Sequence, residues 1–523
     1  MSSDNGGNGA AATVRDPETD KARLRAIHAA LTAGDIEAAG KMAEDALADG
    51  IDHPMVLSFV AGRREVEGRF ADALELLVRA KASAPEAAGI MNAIGLNLMW
   101  LGRHEEAIAE FGAALAADPD FAPALANRGT ALVALARPLE ARASFEAALA
   151  RDPANLIALN GLAALALRRG DGAEARRLAK QVIARQVEYP EALATLAGAD
   201  IIEGEAGKGE ARLRLLLRDQ RLQPPERALA LGLLGDALDA QQRFTGAFQA
   251  WDEGNGILRD HYAMHYREGR GALDLVRELT GAIAGRRVAA SWGRDHGGPA
   301  RRHVFLVGFP GSGASLIADI LAGQSGVVTT GERDALIDSA RQFLGDADDI
   351  ARLCEAEDSA LDPWRAAYWR RVAEAGADPV GRAFVDAHEL NVFKLPLIAR
   401  LFPEAHVLVA RRDPRDAVLG AFRHRFEMSA PAYQLLTLEG AAALYAATME
   451  MVEATEKAFG LFLQACSIQK LAADPKGEMR AVWAMLDLPQ AETAGPAGAL
   501  EIGKWRDYAG EMAGVLPILD RYV

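Results

Sequence analysis

A 34-residue period runs through the first half of the chain and constrains its fold more than any other feature. Glycines fall on one grid of that spacing, a small residue recurs five positions after each grid point, and a series of prolines shares the period. The glycines are Gly34, Gly68, Gly102, Gly170 and Gly204, the small residues are Ala39, Ala73, Ala107, Ala141, Ala175 and Gly209, and the prolines are Pro85, Pro119 and Pro153. Because independent positions share one spacing, the sequence predicts an array of similar helical units rather than a generic alanine-rich bundle.

Each unit is expected to be a helix, a tight turn and a second helix. The glycine ends the first helix, because a left-handed backbone conformation costs glycine little. The alanine lets the two helices approach closely, and the proline follows the second helix, which it cannot continue. The segment 107–119, AIAEFGAALAADP, resembles a tetratricopeptide repeat (TPR). Residues 20–260 are therefore predicted to form an all-α TPR superhelix, and the resemblance implies that its concave surface binds a peptide or a protein.

The net charge of −15 limits the classes of partner. A chain this acidic is not suited to coat nucleic acid or an anionic membrane, so neither is expected as a partner. The sequence also lacks the run of roughly 18–20 apolar residues that a membrane helix needs. With two cysteines among 523 residues, no disulfide framework is expected, and a cytoplasmic location is predicted. Residues 1–19 are rich in glycine, serine and asparagine and are predicted to be a disordered tail.

The second half of the chain changes character. Residues 261–300 are predicted to be a linker, in which helical stretches continue to about Ala284 and a polar, turn-rich part follows. After that, short runs typical of buried strands alternate with helical stretches, and three of these runs are His303–Val307, Arg382–Val385 and His406–Ala410. Such alternation favours a mainly parallel sheet covered by helices, so residues 301–523 are predicted to form an α/β domain.

The segment 308–316, GFPGSGASL, follows a predicted strand and precedes a predicted helix. Its spacing is that of a phosphate-binding loop with Ala314 in the place of the usual lysine, which argues against an enzyme that hydrolyses nucleoside triphosphates. Glycines let the backbone N–H groups turn towards an anion, and the helix N-terminus adds partial positive charge. The predicted phosphate contacts are Gly308, Gly311, Ser312, Gly313, Ala314 and Ser315. A tight turn that binds no ligand is the alternative.

A second motif narrows the choice of family. The segment 407–419, VLVARRDPRDAVL, resembles the 3′-phosphate motif of sulfotransferases that use 3′-phosphoadenosine 5′-phosphosulfate (PAPS), and the loop at 308–316 resembles their 5′-phosphosulfate loop. Residues 386–391, 402–403, 471–475, 486–489 and 503–508 resemble further segments of that family in the expected order. Together with the repeats, the chain resembles a bacterial TPR sulfotransferase whose catalytic half is related to tyrosylprotein sulfotransferases.

The resemblance implies an enzyme that moves a sulfuryl group from PAPS, without a metal, to a hydroxyl on a peptide or protein presented by the repeats. Glu332 matches the family's catalytic carboxylate and would take the proton of the acceptor hydroxyl. Arg412 would bind the 3′-phosphate, because the planar guanidinium fits a phosphate's geometry. Lys504, beside Trp505, would approach the same nucleotide.

Three residues depart from the family's pattern. Gly311 stands where a basic residue is usual, Ala387 replaces a lysine, and Gly420 replaces a serine. The alternative hypothesis is therefore a catalytically weakened nucleotide-binding scaffold whose repeats mediate protein–protein interaction. A phosphotransferase is a further alternative, against which Ala314 argues. Residues 423–425 are expected to be a solvated basic face rather than a substrate site.

Overall fold

The computed structural model describes residues 17–135, 137–266, 271–288, 298–331, 333–489 and 501–523. The chain divides into two compact units, residues 1–165 and residues 166–523. Most of the predicted tail lies outside the described residues, but the first helix already begins at Pro17. Residues 17–19 are therefore helical, because Pro17 starts a helix whose first turn carries Glu18 and Asp20.

The first unit is a succession of paired helices. They are α1 (Pro17–Thr32), α2 (Ile36–Ala48), α3 (Pro54–Val66), α4 (Phe70–Ser83), α5 (Ala88–Trp100), α6 (His104–Ala117), α7 (Ala122–Ala134), α8 (Pro138–Arg151) and α9 (Leu156–Arg168), and the unit boundary falls within α9. The predicted TPR superhelix is confirmed. Gly34, Gly68 and Gly102 separate the helices of each pair with φ of +77°, +74° and +72°, which explains why glycine occupies these grid points.

The small-residue series is the contact between paired helices. Ala39, Ala73, Ala107 and Ala141 are each completely buried. The same close packing surrounds Phe111, because a β-carbon on Gly95 would lie 2.5 Å from its ring. The 34-residue spacing therefore repeats a steric requirement, not only a preference for helix.

The second unit begins with further helices of the array. They are α10 (Gly172–Arg185), α11 (Pro190–Ile202), α12 (Ala206–Leu216), α13 (Pro224–Ala240), α14 (Phe244–His261), α15 (Ala263–Tyr266) and α16 (Ala272–Ile283). Helix α16 lies in residues 261–300, within the part where helical stretches are expected to continue to about Ala284. Val276, Leu279 and Ile283 recur at helical spacing and are buried in the core of this unit, so this part of the segment is a packed helix.

The rest of the second unit is built on a five-stranded parallel sheet, in the order β2-β3-β1-β4-β5. The strands are β1 (Arg302–Val307), β2 (Val327–Thr329), β3 (Ala383–Asp386), β4 (His406–Arg411) and β5 (Leu463–Ser467). Successive side chains enter opposite cores: Phe305 and Val307 face one apolar cluster, while Val304 and Leu306 face another. Burial of both faces is what the continuous apolar runs require, and the predicted parallel sheet is confirmed.

Helices cover both faces of this sheet. They are α17 (Ala314–Ala322), α18 (Ile337–Phe343), α19 (Ala347–Glu355), α20 (Asp362–Glu374), α21 (Leu395–Leu401), α22 (Pro414–Arg423), α23 (Ala430–Gln434), α24 (Leu438–Phe459), α25 (Ile468–Ala473), α26 (Pro475–Met485) and α27 (Leu516–Leu519). Short 3₁₀ helices span Asp358–Leu361, Glu389–Lys394, Lys504–Tyr508 and Asp520–Tyr522. Among the described residues, no helix is both long and apolar enough to cross a bilayer.

Candidate functional site

The strand order creates a crevice at the carboxyl ends of β1 and β4. These strands are neighbours, but the chain leaves β1 towards β2 and leaves β4 towards β5, in opposite directions along the sheet. Parallel sheets bind ligands at such a switch point, because the two departing loops leave a space between them. The predicted phosphate loop follows β1 and Arg412 follows β4, so the topology brings these two sequence-predicted elements together.

The loop after β1 presents several donors. Gly311 and Gly313 have φ of +82° and +85°, which turns the backbone as glycine permits. Within the described part of the chain, the amides of Gly313, Ala314 and Ser315 meet no acceptor. The Ser312 hydroxyl is buried and also without a partner there. An unpaired buried hydroxyl is costly, and free amides at a helix N-terminus attract negative charge, so this arrangement fits an anion that accepts from them.

The close packing of the loop requires Gly308. A β-carbon on Gly308 would lie 2.2 Å from the Ser312 hydroxyl oxygen and 3.1 Å from the β-carbon of Ala410. The Ser312 amide donates to the carbonyl of Phe309 at 2.8 Å, which closes the turn. Ser315 is exposed on the first turn of α17.

Arg412 spans the crevice. Its guanidinium donates to the carbonyl oxygens of Gly311 at 3.0 Å and Glu501 at 2.5 Å, while its Nε is buried without a partner among the described residues. Burial lowers the pKa of Arg412, although Asp416 opposes that effect. The side chain therefore lies at the phosphate loop with its Nε–H unpaired among the described residues.

Gly311 packs against the backbone of α22. A β-carbon there would lie 2.4 Å from the carbonyl oxygen of Ala417 and 2.9 Å from the amide nitrogen of Ala421. A β-carbon on Gly420 would meet nothing nearer than 3.6 Å. The absence of a basic residue at 311 thus has a steric cause: this loop lies too close to α22 for any side chain at that position.

The acidic residues beside Arg412 hold the local backbone. Asp413 caps α22 by accepting from the Arg415 amide at 3.0 Å. Asp416 is buried and accepts from the amides of Gly503 at 2.6 Å and Trp505 at 2.9 Å. No local pattern in the sequence signals this long-range contact, which secures the segment 501–508 beside Arg412.

Lys504 is paired with carboxylates in the structure. Its ammonium lies 2.8 Å from a carboxylate oxygen of Asp239 on α13 and 3.3 Å from one of Asp507. It also lies 4.6 Å from the centre of the Phe244 ring. Two carboxylates and an aromatic face therefore bind this cation, and one of the carboxylates and the aromatic ring belong to helices of the array.

The predicted base, Glu332, lies outside the described residues. Close to it in sequence, Asp334 forms an ion pair with Lys394 at 2.6 Å. His388 belongs to the same polar group, and its Nδ1 is buried without a partner in the described part of the chain. Burial, helped by Lys394, lowers the pKa of His388 to about 4, so the imidazole is neutral at pH 7.

Asp386, the last residue of β3, anchors the loop that contains Ala387. Its carboxylate accepts from Asn391 at 2.7 Å, from the Tyr368 hydroxyl at 3.0 Å and from the His388 amide at 3.2 Å. Tyr368 in turn lies 2.8 Å from Nε2 of His303. Burial raises the pKa of Asp386 to about 6. Asp386 thus fixes the loop rather than facing the crevice with a free carboxylate.

Replacing Asp386 by asparagine is expected to change how stability depends on pH. Because the folded-state pKa is raised above the ordinary value, the folded protein holds this proton more tightly, and the carboxylate destabilises the fold increasingly as pH rises towards 6. The unfolding free energy of Asp386→Asn minus that of the wild type should rise by about 2 kcal/mol between about pH 4.5 and pH 7. Urea denaturation at both pH values measures this, and an unchanged difference contradicts it.

Comparisons with known proteins agree with both parts of the chain. Residues 303–492 match the sulfotransferase family, and residues 65–121 and 127–192 match the tetratricopeptide repeat. A curated relative from Aquifex aeolicus (strain VF5), described as an uncharacterized protein, is 26% identical over 222 residues, which are 41% of this chain and 28% of that protein. The chain therefore spans less than a third of the length of that relative.

Solved structures of repeat proteins are also similar. A tetratricopeptide repeat protein from Parabacteroides merdae ATCC 43184 aligns with a TM-score of 0.37 at 17% identity, over 46% of this chain and 93% of that one. PilW, a type IV pilus biogenesis factor, aligns with a TM-score of 0.34 at 22% identity, over 41% and 94%. The family matches show that this chain carries tetratricopeptide repeats and a sulfotransferase-family domain.

Proposed function

We propose that the sulfotransferase-family domain uses PAPS and transfers its sulfuryl group to a hydroxyl of a peptide or protein. The observation that carries the proposal is the crevice between β1 and β4, where unpaired loop donors face Arg412. The acceptor class rests on the tetratricopeptide repeats, since such arrays bind peptides and proteins on their concave surface. The relation to tyrosylprotein sulfotransferases belongs to this proposal too.

The residues present fit an anionic nucleotide. The amides of Gly313, Ala314 and Ser315, with the Ser312 hydroxyl, would bind the 5′-phosphosulfate. Arg412 would bind the 3′-phosphate through its unpaired Nε–H, while the carbonyl oxygens of Gly311 and Glu501 hold the guanidinium in place. The charge of Lys504 is already paired with Asp239, so this lysine would act on the nucleotide only through the segment that carries it.

When bound, PAPS supplies the sulfuryl group and leaves as 3′-phosphoadenosine 5′-phosphate (PAP). Glu332 would accept the proton of the acceptor hydroxyl as the acceptor oxygen bonds to sulfur and the bond from sulfur to the phosphate oxygen breaks. The loop amides would stabilise the charge left on that phosphate oxygen. A cytoplasmic setting is proposed on the state of the two cysteines, Cys354 and Cys466, which are both free thiols.

Replacing Glu332 by glutamine is expected to lower the rate of sulfuryl transfer by roughly 100- to 10,000-fold, because the proton acceptor is lost. Labelled-sulfate transfer from PAPS to candidate peptides measures the rate. Calorimetry with PAP provides the control, since the variant should bind PAP as tightly as the wild type. Undiminished transfer in the variant would show that Glu332 is not the base, and a wild type that binds no PAP at millimolar concentration contradicts the proposed function itself.

One observation favours the alternative, a nucleotide-binding scaffold. The contact between Gly311 and α22 leaves no room for the basic residue that the family carries in this loop. Without that cation, less charge is available to stabilise the leaving phosphate oxygen. A protein that binds PAP but transfers no sulfuryl group to any tested acceptor would support the scaffold over the enzyme.

A further inference from the structure

A buried carboxylate of the helical array lies against the segment that borders the nucleotide crevice. Asp239, near the end of α13, is 7% exposed. It accepts a short hydrogen bond from the Tyr508 hydroxyl and pairs with Lys504 at 2.8 Å. Arg423, at the end of α22, lies 3.6 Å away. Three donors that are distant from Asp239 in sequence therefore converge on one oxygen-bearing group.

The same segment reaches Arg412 at its other end. The carbonyl of Glu501 accepts from Arg412, and the Glu501 carboxylate accepts from Arg423 at 3.0 Å. Asp416 holds the amides of Gly503 and Trp505 between these two ends. The segment 501–508 is thus fixed at three points: Arg412 and Arg423 at its start, Asp416 in its middle, and Asp239 at its end.

Apolar packing makes the Asp239 end rigid. Tyr508 is fully buried, and its ring centre lies 5.5 Å from those of Phe244 and Trp251 on α14. A β-carbon on Gly235 of α13 would lie 2.2 Å from the Trp251 ring, so little free space surrounds these rings. A change at Asp239 is therefore transmitted to the segment instead of being absorbed by local movement.

We propose that Asp239 is a positioning residue of the nucleotide site: it fixes the segment 501–508, and through the carbonyl of Glu501 it holds Arg412 at the phosphate loop. The last helices of the array are then a structural part of that site. This inference rests on the proposed nucleotide binding. Arg423 fits it as well, since it pairs with Asp239 of α13, while His424 and Arg425 are exposed, as expected of a solvated basic face.

Electrostatics alone predicts the opposite change in nucleotide affinity. Removing the negative charge of Asp239 would make the surroundings of Arg412 more positive and would release Lys504, both of which strengthen phosphate binding. Loss of position weakens binding instead, because Arg412 must then be ordered when the nucleotide arrives. The direction of the change in PAP affinity therefore separates the electrostatic effect of Asp239 from its positioning role.

The experiment compares three variants of the full chain by calorimetry with PAP and by amide hydrogen exchange. Asp239→Asn and Tyr508→Phe are expected to weaken PAP binding by roughly 10-fold and to speed exchange of the Gly503 and Trp505 amides in the free protein. Asp236→Asn is the matched control: this residue lies one turn earlier on α13, pairs with Arg425 at 2.8 Å, accepts from the Trp251 indole at 3.1 Å, and forms no hydrogen bond or ion pair with the described residues of 501–508.

Each result decides the question. Tyr508→Phe changes no charge, so weaker binding in both variants, with an unchanged control, supports positioning. Tighter binding in Asp239→Asn, or an effect equal to that of Asp236→Asn, overturns it. Hydrogen exchange is measured without a ligand, so it tests the positioning role independently of nucleotide binding. If the wild type binds no PAP, the proposed function fails. If exchange is unchanged in both variants, the positioning role is overturned.

Discussion

Replacing Gly311 by lysine, the kind of residue that related sulfotransferases carry there, is expected to destabilise this protein and to abolish PAP binding. Gly311 has φ of +82°, and its β-carbon would lie 2.4 Å from the carbonyl oxygen of Ala417. The left-handed conformation and the displacement of α22 together should cost about 4 kcal/mol of unfolding free energy. Urea denaturation and calorimetry with PAP measure the two effects.

Two further glycine variants separate the cost of the left-handed backbone conformation from the cost of displacing α22. Gly331 has φ of +65° and open space around its β-carbon position, so Gly331→Ala reports the backbone cost alone. Gly420→Ser introduces another residue of the family's pattern at a position where a β-carbon's nearest neighbour lies 3.6 Å away, and it should leave stability and PAP affinity close to those of the wild type. A Gly311→Lys protein that is as stable as the wild type and transfers sulfate faster would prove the steric account wrong.

The array was predictable because its signals are local and repeated. A grid glycine such as Gly68 is required by its own backbone dihedral, and an alanine such as Ala73 is required by the neighbouring helix of its own unit. Both requirements act within one 34-residue unit. Each is therefore visible in the sequence as the same residue type recurring at that spacing. Helix α16 carries no such repetition, so the sequence indicates a helical stretch there but not its place in the core of the α/β domain.

The candidate site was predictable only in part, for the same reason. The strand, glycine loop and helix around Ser312 are contiguous in sequence, and Arg412 lies in a distinctive motif. The partner of Lys504 is on α13, far away in the chain, and nothing near Lys504 indicates that its charge is already paired. The steric requirement at Gly311 likewise comes from α22, so the sequence shows the departure from the family but not its cause.

Residues 301–523, the α/β domain expected from the sequence, should not fold when expressed alone. Their buried side chains belong to one apolar cluster with those of the helices that precede them. Phe422 stacks on Phe248 at 5.3 Å, and Tyr508 packs on Phe244 and Trp251, each at 5.5 Å between ring centres. Removing α10–α16 exposes these aromatic faces and also deletes Leu279 and Ile283 from the core behind the sheet.

The number of side chains that become exposed sets how much unfolding free energy residues 301–523 lose without the array helices. Burial of one large apolar side chain stabilises a fold by about 1.5–3 kcal/mol, and a whole domain has only about 5–15 kcal/mol of unfolding free energy. Without the array helices, Phe422 and Tyr508 become exposed and the core around α16 loses its partners. These losses together remove most of the domain's unfolding free energy. Residues 172–523, which begin at α10, retain these contacts and are the matched control. We expect them to unfold cooperatively in urea, whereas 301–523 should show no transition. A cooperative transition of 301–523 at the same midpoint would mean that the array helices are dispensable for this domain.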